Sequence, residues 1–100
     1  MLNNPFENLS GHQEKLDEIL SNIEITKSSP HDELSVSVNA KKEILDITIN
    51  KKFEDSGELE DLLVITLNDA LKEADVIAMR ETNKLISSMF PGGLAGLFGG

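Results

Sequence analysis

An α+β fold, running helix, three-stranded antiparallel sheet, long closing helix (α-β-β-β-α), is predicted by three features of this sequence. Leu34, Val36 and Val38 alternate with Ser35, Ser37 and Asn39, and Leu45, Ile47 and Ile49 alternate with Asp46, Thr48 and Asn50. Period-two alternation is the mark of strands that bury one face. Glu58 to Met89 then holds a helical spacing of apolar residues with no Gly or Pro. Ahead of the strands, Pro5 to Ile23 carries two interleaved seven-residue series, Phe6–Gln13–Leu20 and Leu9–Leu16–Ile23, which together trace one helical face.

The first helix has its start signals in place. Asn3 or Asn4 can cap it, and Pro5 suits a first-turn position where a missing N–H is harmless. Gly11 weakens that start by about 1 kcal/mol relative to Ala. Ile19 broadens the apolar face, and the helix reads as a cover for the sheet.

Ile23, Ile25 and Lys27 begin the sheet with a first strand, which Ser28-Ser29-Pro30-His31-Asp32 ends, since Ser and Pro favour turns and Pro donates no ladder bond. Asn39-Ala40-Lys41-Lys42 reads as the tight connection between the second and third strands. The result is a meander with one apolar face.

Asp55 or Ser56 can cap the last helix, and Glu58, Glu60 and Asp61 complement its positive end. Leu59, Leu62, Leu63, Thr66, Leu67, Ala70, Leu71, Ala74, Ile77 and Ala78 keep a helical spacing. At 1.5 Å per residue the helix is about 48 Å long. A strand of about six residues spans only about 20 Å. The far half therefore outreaches the sheet, carrying Met79, Leu85, Ile86, Met89 and Phe90 with it. Apolar surface left in water costs roughly 25 cal/mol per Å². A second copy of the chain is the simplest cover, with Ile77, Leu85, Ile86 and Met89 as the expected dimer interface and two-fold symmetry as the commonest arrangement; a helix that breaks near Asn83 and folds back is the competing one.

One hundred residues make one domain, assigned to residues 1–90, with a flexible Gly-rich tail over 91–100. The absence of Cys excludes disulfides and thiolate metal sites. With no basic segment leading into an apolar run at the start, and no apolar stretch of about 20 residues, the expected location is the cytoplasm.

No catalytic constellation emerges. His12 and His31 stand apart, Ser28, Ser29 and Ser35 lack an elbow motif, and the tail glycines precede no helix. The expectation is a non-enzymatic protein without cofactor or metal.

Charge is unevenly spread within a net −9. Residues 1–33 hold two Lys against seven acids, and residues 54–100 hold three basic residues against nine. Only residues 34–53 are net positive, with Lys41, Lys42, Lys51 and Lys52 against Glu43 and Asp46. Arg80 and Lys84, four apart, share a face of the last helix. These six are the candidate phosphate contacts, because a polyanion is repelled elsewhere. With only four aromatics, all Phe, a base-stacking platform is not expected.

The element order, with Leu59-Glu60-Asp61-Leu62 followed by Leu67-Asn68-Asp69-Ala70 after the Val36-Ser37-Val38 strand, resembles the YbaB/EbfC family of nucleoid-associated proteins over nearly the whole chain. That resemblance implies a tweezer-like homodimer that binds DNA with little sequence specificity and localises to the nucleoid. An acidic protein-protein interaction module without DNA affinity is the alternative that the net charge and the apolar tail suggest.

Overall fold

The computed structural model describes residues 5–89, and their side chains from residue 11 onward. The capping positions Asn3 and Asn4, Phe90 and the 91–100 tail lie outside the described residues. The elements are α1 (Pro5–Ser21), β1 (Glu24–Ser28), β2 (Leu34–Asn39), β3 (Ile44–Ile49) and α2 (Ser56–Met89).

The strands form one antiparallel sheet in the order β1-β2-β3, so β2 is central. Its alternation is realised in full: Leu34, Val36 and Val38 are buried on one face, where they meet Ile25 of β1 and Ala70 and Ala74 of α2. Alanine at both helix positions lets the α2 backbone approach the sheet closely. Leu59, Leu62, Leu63, Leu67, Leu71 and Ile77 of α2, with Phe53, seal the margins of this core.

The β1–β2 turn is held by Ser29, whose backbone N–H donates to Leu34 O at 2.9 Å while its hydroxyl accepts from Leu34 N–H at 3.0 Å. Asp32 takes a positive φ of 56°, a conformation Asp tolerates in turns. Donation from the Ser29 hydroxyl (2.8 Å), followed by its own backbone N–H and that of His31, holds the Glu33 carboxyl below its ordinary pKa.

Pairing between β2 and β3 slips at one place. Ser37 opposes Asp46, yet Val38 opposes Ile44, so Leu45 is an extra residue in a β-bulge. Leu34 opposes Ile49 and Val36 opposes Ile47. Directly paired residues share a face, so Ile44, Ile47 and Ile49 lie on the core side of the sheet. They are nevertheless exposed, at 54%, 40% and 50%, with Leu45 at 51%. The reason is the placement of α2, which packs on β1 and β2.

Where the sequence reads α1 as a cover for the sheet, the structure sets it chiefly against α2. Two facts explain this. The face of β1 and β2 is already occupied by α2, and α2 outlasts the sheet, leaving its inward residues Ala78, Thr82 and Leu85 to be half-buried by something other than strands. The end of α1 is pinned to the hairpin, where Ala40 N–H is shared between Leu20 O and Ile23 O, each at 3.1 Å.

Asn39 organises that hairpin. Its Oδ1 accepts from the backbone N–H groups of Lys41 and Glu43, both at 3.0 Å, and its Nδ2 donates to Glu43 Oε1 at 2.8 Å. Because Asn39 is buried, Asn39→Ala strands two N–H groups and is expected to destabilise the fold by about 2 kcal/mol. Chemical denaturation should show the midpoint falling with the slope unchanged; an unchanged midpoint would refute this role for the side chain.

Candidate nucleic-acid interface

The six candidate basic residues occupy three places. Lys41 and Lys42 form the tip of the β2–β3 hairpin, and Lys42 holds a positive φ of 67°, with its N–H donating to Asn39 O at 2.9 Å. Lys51 and Lys52 follow β3 at its other end, six strand residues or about 20 Å away. Arg80 and Lys84 lie on the exposed surface of α2, toward its far end. At about 100° of helical rotation per residue, Arg80 sits about 140° around α2 from Asp75, so it does not share the face that meets the hairpin. The structure does not bring all six together.

Several of these cations already hold a carboxylate. Lys42 Nζ is 2.6 Å from Asp75 Oδ1, Lys51 Nζ is 3.5 Å from Glu58 Oε1, and Lys84 Nζ is 3.4 Å from Glu81 Oε1. Lys51 also lies 5.0 Å above the Phe53 ring, a cation–π contact. Lys27 of β1 reaches Glu73 of α2 at 3.0 Å. Among the described residues, Lys41, Lys52 and Arg80 are exposed and have no such ion pair.

One contributor escaped the sequence reading. Lys72 is exposed on α2 and lies one turn before Asp75, the spacing at which helical side chains are neighbours. Asp75 meets Lys42 of the hairpin, so Lys72 stands one helical turn from a residue that touches the hairpin tip, where Glu43 is a second carboxylate. The i to i+3 spacing was legible, but nothing in the sequence said that residue 75 would face the hairpin.

The expected dimer residues also divide. Ile77 packs against the chain's own core and Leu85 is half-buried. Ile86 and Met89 are exposed at 36% and 37%. Further exposed apolar residues are Ile44, Leu45, Ile47 and Ile49 of β3 and Val64, Ile65, Val76 and Met79 of α2.

A helix, a three-stranded meander and a long closing helix, with two lysines at the hairpin tip, define a small protein of the α+β class. Residues 2–89 match the YbaB/EbfC DNA-binding family, and the chain belongs to it. It is 34% identical over 88 residues to a nucleoid-associated protein of Ruminiclostridium cellulolyticum, covering 85% of this chain and 75% of that one. A nucleoid-associated protein of Acetivibrio thermocellus is 30% identical, covering 85% and 76%. The crystal structure of an uncharacterized protein from Helicobacter pylori superimposes with a TM-score of 0.65 at 23% identity, over 77% of this chain and 93% of that one, which shows the shared fold.

Proposed function

We propose that this protein is a non-enzymatic, homodimeric DNA-binding protein of the nucleoid that contacts the phosphate backbone with little regard for sequence. The observation that carries the reading is the hairpin tip, where Lys41 and Lys42 are exposed, with Lys72 exposed on α2 one turn from the residue that meets Lys42, on a chain of net charge −9. Lysine is a point-charge donor to phosphate, and phosphate contacts position a protein without reading bases. Membership of a DNA-binding family and relatives named as nucleoid-associated proteins support the same conclusion.

The homodimer is supported by apolar surface that the single chain leaves uncovered. Ile44, Ile47 and Ile49 continue the core face of the sheet past the edge of α2, and Ile86 and Met89 stand exposed on the protruding helix. A twin chain related by a two-fold axis places two copies of each lysine patch on one particle. Two arms then share the load on a duplex.

The test is a titration against a duplex of mixed sequence over a salt series, comparing wild type with Lys41→Ala/Lys42→Ala/Lys72→Ala and with Arg80→Ala/Lys84→Ala. Each phosphate contact contributes about 0.9 to the slope of log K against log salt. The triple variant should bind at least ~10-fold more weakly, with a slope shallower by roughly two or more. Arg80→Ala/Lys84→Ala should flatten the slope by about one, since Lys84 is already paired with Glu81. Identical curves for all three proteins would remove these residues from the interface. Absence of any complex at low salt would favour the second reading, an acidic interaction module, which the internal pairing of Lys27, Lys42, Lys51 and Lys84 supports.

A further inference from the structure

We infer that Asp75 is a built-in competitor for phosphate at the hairpin tip and that it sets the DNA affinity of this protein. The inference rests on the lysine patch proposed above and assigns to it a residue of opposite sign. Asp75 Oδ1 lies 2.6 Å from Lys42 Nζ, and both side chains are open to solvent, at 59% and 52% exposed.

An exposed pair of this kind is weakly held. A phosphate oxygen can therefore take over the ammonium, but only by expelling the carboxylate, which then remains beside the incoming anion. The same carboxylate lies one turn from Lys72 on α2, the spacing of neighbouring helical side chains, and so also lowers the positive potential there. The hairpin fixes the Lys42 backbone in the left-handed region and bonds its N–H to Asn39 O, so the side chain starts from one position beside Asp75. Glu58 stands in the same relation to Lys51, but at 3.5 Å and with Lys51 also held over Phe53.

Asp75 thus orients the Lys42 ammonium while the site is empty and opposes its use when DNA arrives. Such an arrangement weakens the bound state and favours rapid release.

The experiment measures binding of the full chain to a mixed-sequence duplex at about 50 mM salt and across a salt series. The proteins compared are wild type, Asp75→Asn, Glu58→Gln, Glu14→Gln, and Asp75→Asn combined with Lys42→Ala. Glu14 is exposed on α1, and its substitution changes the net charge by the same amount without freeing a hairpin lysine. Asp75→Asn should bind about tenfold more tightly, with a salt slope steeper by about one for each subunit engaged. Glu58→Gln should gain less, Glu14→Gln at most about twofold, and Lys42→Ala should cancel most of the Asp75→Asn gain.

Equal gains in Asp75→Asn and Glu14→Gln would overturn the inference, because net charge alone would then explain them. Wild-type binding that Asp75→Asn leaves unchanged would overturn it while leaving the DNA-binding reading intact. If no variant binds at low salt, both fall. Circular dichroism melts of the five proteins establish that each is folded, as expected for exposed positions.

Discussion

Ile47→Lys/Ile49→Lys is expected to convert the proposed dimer to an 11 kDa monomer that remains folded. Both residues lie on the face of the sheet that α2 covers over β1 and β2, and both are exposed because α2 stops short of β3. A half-exposed Ile still has roughly 1 kcal/mol to gain from full burial. Removing two such residues from each of two subunits withdraws about 4 kcal/mol, and four new ammonium groups near a two-fold axis add mutual repulsion. The dimer dissociation constant should rise at least ~1000-fold. Sedimentation equilibrium over a wide concentration range reads the change directly. Since the substituted side chains are solvent-facing within one chain, the unfolding transition of the monomer should survive. A variant that sediments as wild type would exclude β3 from the interface and return attention to Ile86 and Met89 at the end of α2.

Leu34→Ala carries the second large effect, this time on the fold. Leu34 is fully buried at the start of the central strand, against α2, with its backbone tied to Ser29. Truncating a buried Leu costs 2–5 kcal/mol, through lost transfer energy and the cavity left behind. For a domain of this size about 3 kcal/mol corresponds to a fall in Tm on the order of 15 °C. Differential scanning calorimetry would check it. A fall of only a degree or two would mean that the core relaxes around the gap, which the pairing of β2 on both edges makes difficult. The two substitutions are complementary: Leu34→Ala removes apolar surface that the chain itself covers, and Ile47→Lys/Ile49→Lys removes apolar surface that it leaves exposed.

Much of this was written in the sequence. The alternation at Leu34–Asn39, the hairpin at Asn39–Lys42 and the unbroken helical run to Met89 each appear in the structure as read. Asp55 settles the choice between capping residues, with its Oδ1 accepting from Gly57 N–H at 2.9 Å. These features are local: periodicity, turn chemistry and caps act over a few residues, and a few residues suffice to encode them.

Other properties needed the tertiary structure. Leu45, Ile47 and Ile49 alternate as cleanly as the β2 residues, yet β3 is exposed from end to end while β2 is buried, because burial depends on where α2 comes to lie. The bulge at Leu45 shifts the pairing so that Ile44 opposes Val38, something no alternation pattern foretells. Ile77 and Leu85 look like interface residues when α2 is imagined alone, and they are half-buried once α1 and the core are in place.

The same division holds at the candidate site. The four hairpin-flanking lysines and the Arg80/Lys84 pair stand out by charge in the sequence alone. Lys72 and Asp75 do not, because their importance comes from a contact between residues 33 positions apart, Lys42 and Asp75. The amino-acid sequence by itself determined the elements, their order and the sign of each segment's charge. The tertiary structure decided which apolar face stays open and which acid meets which base, since both depend on distances that exist only after α2 has docked on β1 and β2.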